Sequence, residues 1–168
     1  MSAKKTSETK APEQSVLQSV RAALNKIFKE RSSVIDGVLV ALLSRQMMFI
    51  LGPPGTAKSE LCRAICSAIQ GNYFEWLLSK FTTPEELFGP MSFKALEEGR
   101  YERLTTGKLP KADIVFADEV FKGSSAILNT LLPAINERLF HNGSQVEHIP
   151  LQVLFGASNE IPQGEELA

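Results

Sequence analysis

Apolar residues recur with a helical period from residue 15 onward. Val16, Leu17, Val20, Leu24, Ile27 and Phe28 fall on one face and predict an amphipathic helix to about Glu30. The next segment, SSVIDGVLVALLSR, offers Ser32 or Ser33 as a cap and packs Val34, Ile35, Val38, Leu39, Leu42 and Leu43 into a largely apolar helix ending near residues 44–46. The pattern then changes. MMFIL (47–51) is a continuous apolar run bounded by turn residues, the mark of a strand buried on both faces of a parallel sheet. Three more strands follow: NYFEWLLS (72–79), aromatic and apolar after Gly71, and the buried runs ADIVFAD (112–118) and PLQVLFGAS (150–158). A glycine-rich loop and a helix over 59–69 lie between the first two runs. SSAILNTLLPAINERLF supplies a helix between the last two, with Ile127, Leu128, Leu131, Leu132 and Ile135 on its apolar face. Pro133 sits inside it and is expected to bend it or to end its first part. Strands alternating with helices predict an α/β fold, a three-layer sandwich around a mostly parallel sheet.

Two inserted pieces interrupt this alternation. FHNGSQVEHI (140–149) centres on Asn142-Gly143, a two-residue hairpin signal. MSFKALEEGRYERLTTGKLP (91–110) reads as a second hairpin, turning at Gly99 between Glu98 and Arg100. Residues 1–13 are polar and Lys-rich and contain Pro12, which predicts a flexible tail ahead of one domain over 14–168.

Composition narrows the classes further. A chain of 168 residues, 43% hydrophobic and 22% charged, suits a single soluble globular domain. With 18 basic against 19 acidic residues, no global field points to nucleic acid or an anionic membrane, although a local basic groove stays open. The longest nearly pure apolar stretch, 38–43, is too short to span a bilayer, and the N-terminus lacks the apolar core of a secretory signal. A cytoplasmic location is therefore expected. Cys62 and Cys66 stand four apart on one helix, a spacing suited neither to a disulfide nor, alone, to zinc, so both are expected as small buried residues.

The chemistry concentrates in GPPGTAKS (52–59), directly after the first strand. A triphosphate needs many donors converging on one concavity, which a tight turn at a helix N-terminus supplies through its backbone N–H groups and dipole. Gly52 and Gly55 let the backbone approach phosphates, Pro53-Pro54 stiffens the approach, Lys58 adds a full charge, and Ser59 suits a Mg²⁺ ligand. Ala57 replaces the second glycine of GxxxxGK[ST]. It adds one methyl group and is expected to take ordinary helical dihedrals, the loop being viable if the backbone there is not left-handed. Asp118 and Glu119 end the ADIVFA strand, where an open parallel sheet places its ligand crevice. Beside the loop, Asp118 suits Mg²⁺ and Glu119 a general base for water, whereas alone the pair would read as solvated acids. Asn159 in GASNE is either a turn residue or a group fixing water near the terminal phosphate. His141 and His148 lack a carboxylate or cysteine cluster and read as exposed hairpin residues, and Lys122 reads as solvated, with a partner or phosphate contact left open.

The segments GPPGTAKS, FTTPEELFGP, RYERL, FADEVFKGSSAILNTLLPAINERLFHNG and ASNE, in this order, resemble the MoxR family of AAA+ ATPases and in particular its RavA-type branch. The resemblance runs from about Ser15 to the C-terminus. It implies a P-loop NTPase of the AAA+ class that binds ATP and Mg²⁺ and hydrolyses ATP. It also implies a hexameric ring acting with von Willebrand factor A-domain partners in chaperone-like remodelling of clients or metal-cofactor insertion. By position it makes Gly52, Pro53, Pro54, Gly55, Thr56, Ala57, Lys58, Ser59 and the adjoining Glu60 the nucleotide loop (Walker A), Asp118 and Glu119 the Walker B acids, and Asn159 sensor 1. Lys58, Glu119 and Asn159 would be catalytic, Ser59 and Asp118 metal ligands, and Val34 and Ile35 the adenine-contacting segment. Residues 91–110 and 140–149 would face a central pore, and Glu137 and Arg138 a neighbouring subunit. The family pattern continues past ASNE into an arginine finger, a last strand and a helical lid, none of which lies within the 168 residues. On that reading the chain alone is expected to turn over ATP weakly or not at all.

Other classes remain in view. A non-catalytic module that senses nucleotide while its inserts dock a partner fits the same loop, and a DNA-acting AAA+ protein shares the site, although nucleic acid is not the expected partner. A GTPase is disfavoured because NKxD is absent, and a P-loop kinase because adjacent Asp118-Glu119 with Asn159 suits water activation better than transfer to a hydroxyl.

Overall fold

The computed structural model describes residues 12–160. Most of the expected tail therefore lies outside the described residues. Its last part does not match the expectation, because α1 (Pro12–Ile27) already begins at Pro12, a residue suited to the first helical position. The helix is narrower in its apolar contact than its periodicity predicts. Leu24 is buried and Leu17, Val20 and Phe28 pack against the core, while Val16 and Ile27 are exposed. Helix α2 (Ser32–Ser44) packs beside it, but neither serine caps it: the N-cap is Arg31, with no side-chain cap. Ser32 instead donates to Asn25 Oδ1, and Arg21 pairs bidentately with Asp36, so both polar links join α1 to α2.

The sheet is built from β1 (Met48–Leu51), β2 (Tyr73–Leu77), β3 (Ile114–Asp118) and, last in the chain, β6 (Val153–Ser158). Its order is β1-β6-β3-β2 and every pairing is parallel, with Phe116 opposite Phe155 at the centre. Alternation along the central strands explains the three layers. Ile114, Phe116, Val153, Phe155 and Ala157 share one core with α1, α2 and α3 (Lys58–Ala68). Val115, Ala117 and Leu154 share the other with α6 (Ser125–Asn136) and with Leu87 and Phe88 of α4 (Pro84–Phe88). The expected double-sided burial holds for β3 and β6 but not for β1. Among the described residues β1 is an outer strand, so Ile50 alone is buried while Phe49 and Leu51 stay about half exposed.

Cys62 and Cys66 are buried and free, as expected, and burial pushes the Cys62 thiol up from its ordinary value. Pro133 does not end α6. It falls in the last turn, where its missing N–H forfeits only one ladder bond, and the helix runs on to Asn136.

The inserted pieces depart from expectation in instructive ways. Residues 91–103 form no second hairpin. Ser92 caps a short helix, α5 (Phe93–Glu97), Gly99 turns the chain at a φ of 74°, and a single antiparallel bridge joins Met91 to Arg103. KALE is a run of helix formers with no β-branched residue, so local propensity selects a helical turn within the loop. The hairpin of β4 (Leu139–Asn142) and β5 (Gln145–His148) is present, but its two-residue turn is Gly143-Ser144, one position later than expected. Gly143, at a φ of 65°, occupies the first loop position, where a type II′ turn needs glycine. Asn142 is then free for another task. Its buried side chain accepts from Arg103 N (2.7 Å) and donates to Arg103 O (3.3 Å) and Glu147 Oε1 (3.0 Å), fastening the hairpin to the inserted loop.

Candidate functional site

The loop between β1 and α3 leaves the sheet at its carboxyl edge. Gly52 N donates to Ser158 O of the neighbouring β6 (3.2 Å), and Thr56 Oγ1 closes the loop on Pro53 O (2.9 Å). Gly55 has a φ of 75°, and no neighbour would crowd a Cβ there, so the dihedral rather than space calls for glycine.

Ala57 corrects the sequence reading. It is the N-cap of α3 and takes φ 57°, ψ 32°, left-handed rather than helical. An L-residue other than Gly, Asn or Asp in that region costs about 1–2 kcal/mol. The strain has a geometric use. Positive φ at Gly55 and Ala57 alternates with ordinary φ at Thr56 and Lys58, a pattern that turns successive N–H groups into one concavity and produces an anion-accepting nest. Residue 57 is thus part of the loop's left-handed geometry rather than an ordinary helical position.

Across the cavity the adjoining strands end in polar groups. Asp118 ends β3, and its Oδ1 accepts from Glu119 N (3.0 Å). Glu119 is also left-handed, at φ 51°, and only 8% exposed. Asn159 follows β6 and ties the two sides together: its Oδ1 accepts from Lys58 Nζ (3.0 Å) and its Nδ2 donates to Glu119 Oε1 (2.5 Å). Lys58 Nζ also donates to Gly52 O (2.7 Å) and Pro53 O (3.2 Å). A polar chain therefore runs from the loop lysine through Asn159 to a buried carboxylate.

These groups surround a cavity of about 410 Å³ lined by Pro54, Gly55, Thr56, Ala57, Lys58, Ser59, Glu60, Phe116, Asp118 and Asn159. Lys58 is the one cation among its lining residues, and Glu60 is occupied by Arg63 (2.8 Å). Ser59 and Asp118 face the same space. Among the described residues no cluster of three or more His, Cys, Asp or Glu forms. A Mg²⁺ ion would thus rest on Ser59, Asp118, water and ligand phosphates, the sparse protein coordination usual for this ion.

Several expected residues stand apart. Gly52, Pro53 and Glu119 do not line the cavity, and Glu119 is reached only through Asn159. Ile35 is wholly buried in the helix-side core and Val34 packs against it, so neither reaches the cavity. Arg138 is engaged within its own chain, donating to Ile135 O and to Arg45 O (2.8 Å) at the end of α2, while Glu137 is exposed. His141 and His148 are exposed, as expected. One residue and one contact escaped the sequence reading. Phe116 lines the cavity from the centre of β3, with nothing to distinguish it from any core phenylalanine. Lys122 reaches Glu119 Oε1 (3.3 Å), a contact legible only as an i,i+3 spacing.

Comparison with known proteins bears on the family and the fold. Residues 15–168 match the profile described as the MoxR domain in the MoxR-vWA-beta-propeller ternary systems. The chain is 52% identical over 153 residues to the uncharacterized protein MJ0812 of Methanocaldococcus jannaschii, covering 90% of this chain and 41% of that protein. It is 22% identical over 135 residues to chaperone MoxR1 of Mycobacterium tuberculosis, covering 80% of this chain and 35% of MoxR1. The chain thus spans about two fifths of the length of these relatives. Its fold matches a candidate ATPase from Cytophaga hutchinsonii with a TM-score of 0.69 at 17% identity, over 90% of this chain and 45% of that one. No helix among the described residues is long and apolar enough to cross a membrane. The chain belongs to the MoxR family of AAA+ ATPases.

Proposed function

We propose that this chain binds ATP with Mg²⁺ in the cavity at the carboxyl edge of the sheet and acts as the nucleotide core of a remodelling ATPase. The observation that carries the reading is the Lys58–Asn159–Glu119 chain beside the left-handed loop. In this reading the loop N–H groups and Lys58 hold the outer phosphates, Ser59 and Asp118 hold Mg²⁺, Asn159 senses the terminal phosphate and Glu119 is the base for the attacking water. A bound Mg²⁺ would neutralise charge developing on the phosphates. Glu119 lies behind Asn159, so a shift of the Asn159 amide toward the terminal phosphate would also free the carboxylate. With Lys58 as the one cation lining the cavity, hydrolysis by this chain alone should be slow, since a second cation is worth orders of magnitude in phosphoryl transfer.

The family description supports a von Willebrand factor A-domain partner, and the relative named as a chaperone supports chaperone-like remodelling of clients; a ring of this protein, working in the cytoplasm, belongs to the same proposal. No observation favours nucleic acid. Titration calorimetry with Mg²⁺ and ATP tests the reading. The chain should bind, Lys58→Ala should weaken binding roughly a hundredfold through loss of charge-assisted hydrogen bonds, and phosphate release should be close to background. Equal affinity of the chain and of Lys58→Ala would remove the nucleotide assignment.

A further inference from the structure

The acidic end of the cavity is neighboured by a cation that the sequence pattern leaves to solvent. Lys122 closes the 3₁₀ turn Val120–Lys122, in which residues three apart eclipse one another. Its Nζ lies 3.3 Å from Glu119 Oε1, the oxygen that also accepts from Asn159 Nδ2. The turn is anchored rather than loose. Val120 is 8% exposed in the α6-side core, and Lys122 N donates to Glu119 O (2.8 Å). The Phe121 ring stacks on Phe49 of β1 at 5.7 Å with the planes 15° apart. Gly156 makes that stack possible, because a Cβ there would stand 2.8 Å from the Phe49 ring. A fixed backbone therefore delivers an otherwise exposed ammonium to one carboxylate.

The charges at this end make the placement consequential. Glu60 is offset by Arg63, and Asp118 faces the cavity as a metal ligand in the reading above. Glu119 is the remaining carboxylate, one side chain beyond the Lys58 ammonium through Asn159. A triphosphate carries one more anionic group toward Lys58 and Asn159 than a diphosphate does. An uncompensated Glu119 would repel that group within a Debye length.

We propose that Lys122 is a positioning residue of the nucleotide site: its ammonium fixes the Glu119 carboxylate behind Asn159 and offsets its charge, so that the cavity accepts a terminal phosphate. The inference rests on the MgATP reading. Lys122 touches no nucleotide and acts through Glu119, which predicts an effect on ATP that ADP does not share.

Equilibrium binding of fluorescent N-methylanthraniloyl ATP and ADP, with Mg²⁺ at low salt, tests it. Two neutral variants, Lys122→Met and Lys122→Gln, guard against a packing fault in either one, and ADP affinity reports the integrity of the fold. Both should lower the preference for ATP over ADP by roughly threefold to fivefold, the scale of a solvent-facing ion pair, while Lys122→Arg retains it. In a Glu119→Gln background the same substitutions should leave the preference unchanged. An equal loss for both nucleotides, or an undiminished loss in the Glu119→Gln background, overturns the role of Lys122 and leaves the MgATP reading standing. Absence of binding by the unsubstituted chain, with Lys58→Ala indistinguishable from it, overturns that reading and this inference together.

Discussion

Asn142 and Asn159 each follow or end a strand and each bridge two segments, yet they close two regions of the chain by different chemistry. Asn142 is buried and spends its amide on the Arg103 backbone and on Glu147, a carboxylate that the Lys111 ammonium, and secondarily the Asn142 amide, hold below the usual range. Asn159 is half-buried and spends its amide on the side chains of Lys58 and Glu119. The first fastens a side chain to a backbone segment and to a carboxylate of its own hairpin. The second joins a cation to an anion across a cavity, and both of those groups would find other partners if a phosphate entered. The hairpin region is therefore built to stay closed, and the loop region to exchange its contacts.

The sharpest way to break this contrast is to open the hairpin region. A Cβ on Gly143 would lie 2.0 Å from the Tyr101 carbonyl oxygen, in a backbone already at a φ of 65°. Gly143→Ala should therefore destabilise the chain by about 3 kcal/mol through combined clash and strain, read by chemical denaturation. The folded fraction should keep its affinity for MgATP. A matching loss of nucleotide affinity would show that the two regions are one mechanical unit.

The paired asparagine substitutions come next in size. Asn142→Ala strands the part-buried N–H and C=O of Arg103 and should cost about 1–3 kcal/mol of stability with nucleotide binding intact. Asn159→Ala should cost less than about 1 kcal/mol, because Lys58 keeps the Gly52 and Pro53 carbonyls and Glu119 keeps Lys122, yet it should lower the preference for ATP over ADP roughly tenfold, the worth of one charge-assisted hydrogen bond. Denaturation and nucleotide titration on the same two proteins decide the matter. Similar profiles for both variants would dissolve the distinction.

How much of this was legible beforehand follows from range. The pattern of apolar runs placed all four sheet strands and helices α3 and α6, but not α4 or α5, and burial on both faces leaves a local signature at β3 and β6. Cavity-lining residues 54–60, Asp118 and Asn159 were legible because each sits next to a strand end that the pattern marks. What escaped depends on which element packs beside which. Phe49 and Leu51 look like core in MMFIL, and only the strand order shows β1 to be an outer strand among the described residues. The turn at Gly143-Ser144 shifted by one residue because Asn142 is claimed by Arg103, 39 positions away. Ile35 was assigned to a ligand and lies in the core, a difference that helical periodicity cannot report. Lys122 was read as solvated and its side chain is exposed, but its contact with Glu119 is set by the strained turn there rather than by composition.

Residue 57 yields the smallest effect and the most direct test of the loop. Ala57 carries a left-handed penalty of about 1–2 kcal/mol, and as an N-cap alanine is among the least favourable residues, whereas glycine is acceptable. Glycine would remove most of that penalty but return about 0.4–1 kcal/mol through the greater freedom of the unfolded chain. Ala57→Gly should therefore stabilise the chain by about 0.5 kcal/mol, within reach of careful thermal denaturation, and leave MgATP affinity unchanged or slightly raised. The sign discriminates between two loops. A residue 57 with ordinary helical dihedrals would make the same substitution destabilising by about 0.5–1 kcal/mol, the usual cost of glycine within a helix. A destabilised variant would thus mean that the nest of N–H groups is not the resting form of the loop, and that the concavity beside Lys58 forms only when an anion draws it together.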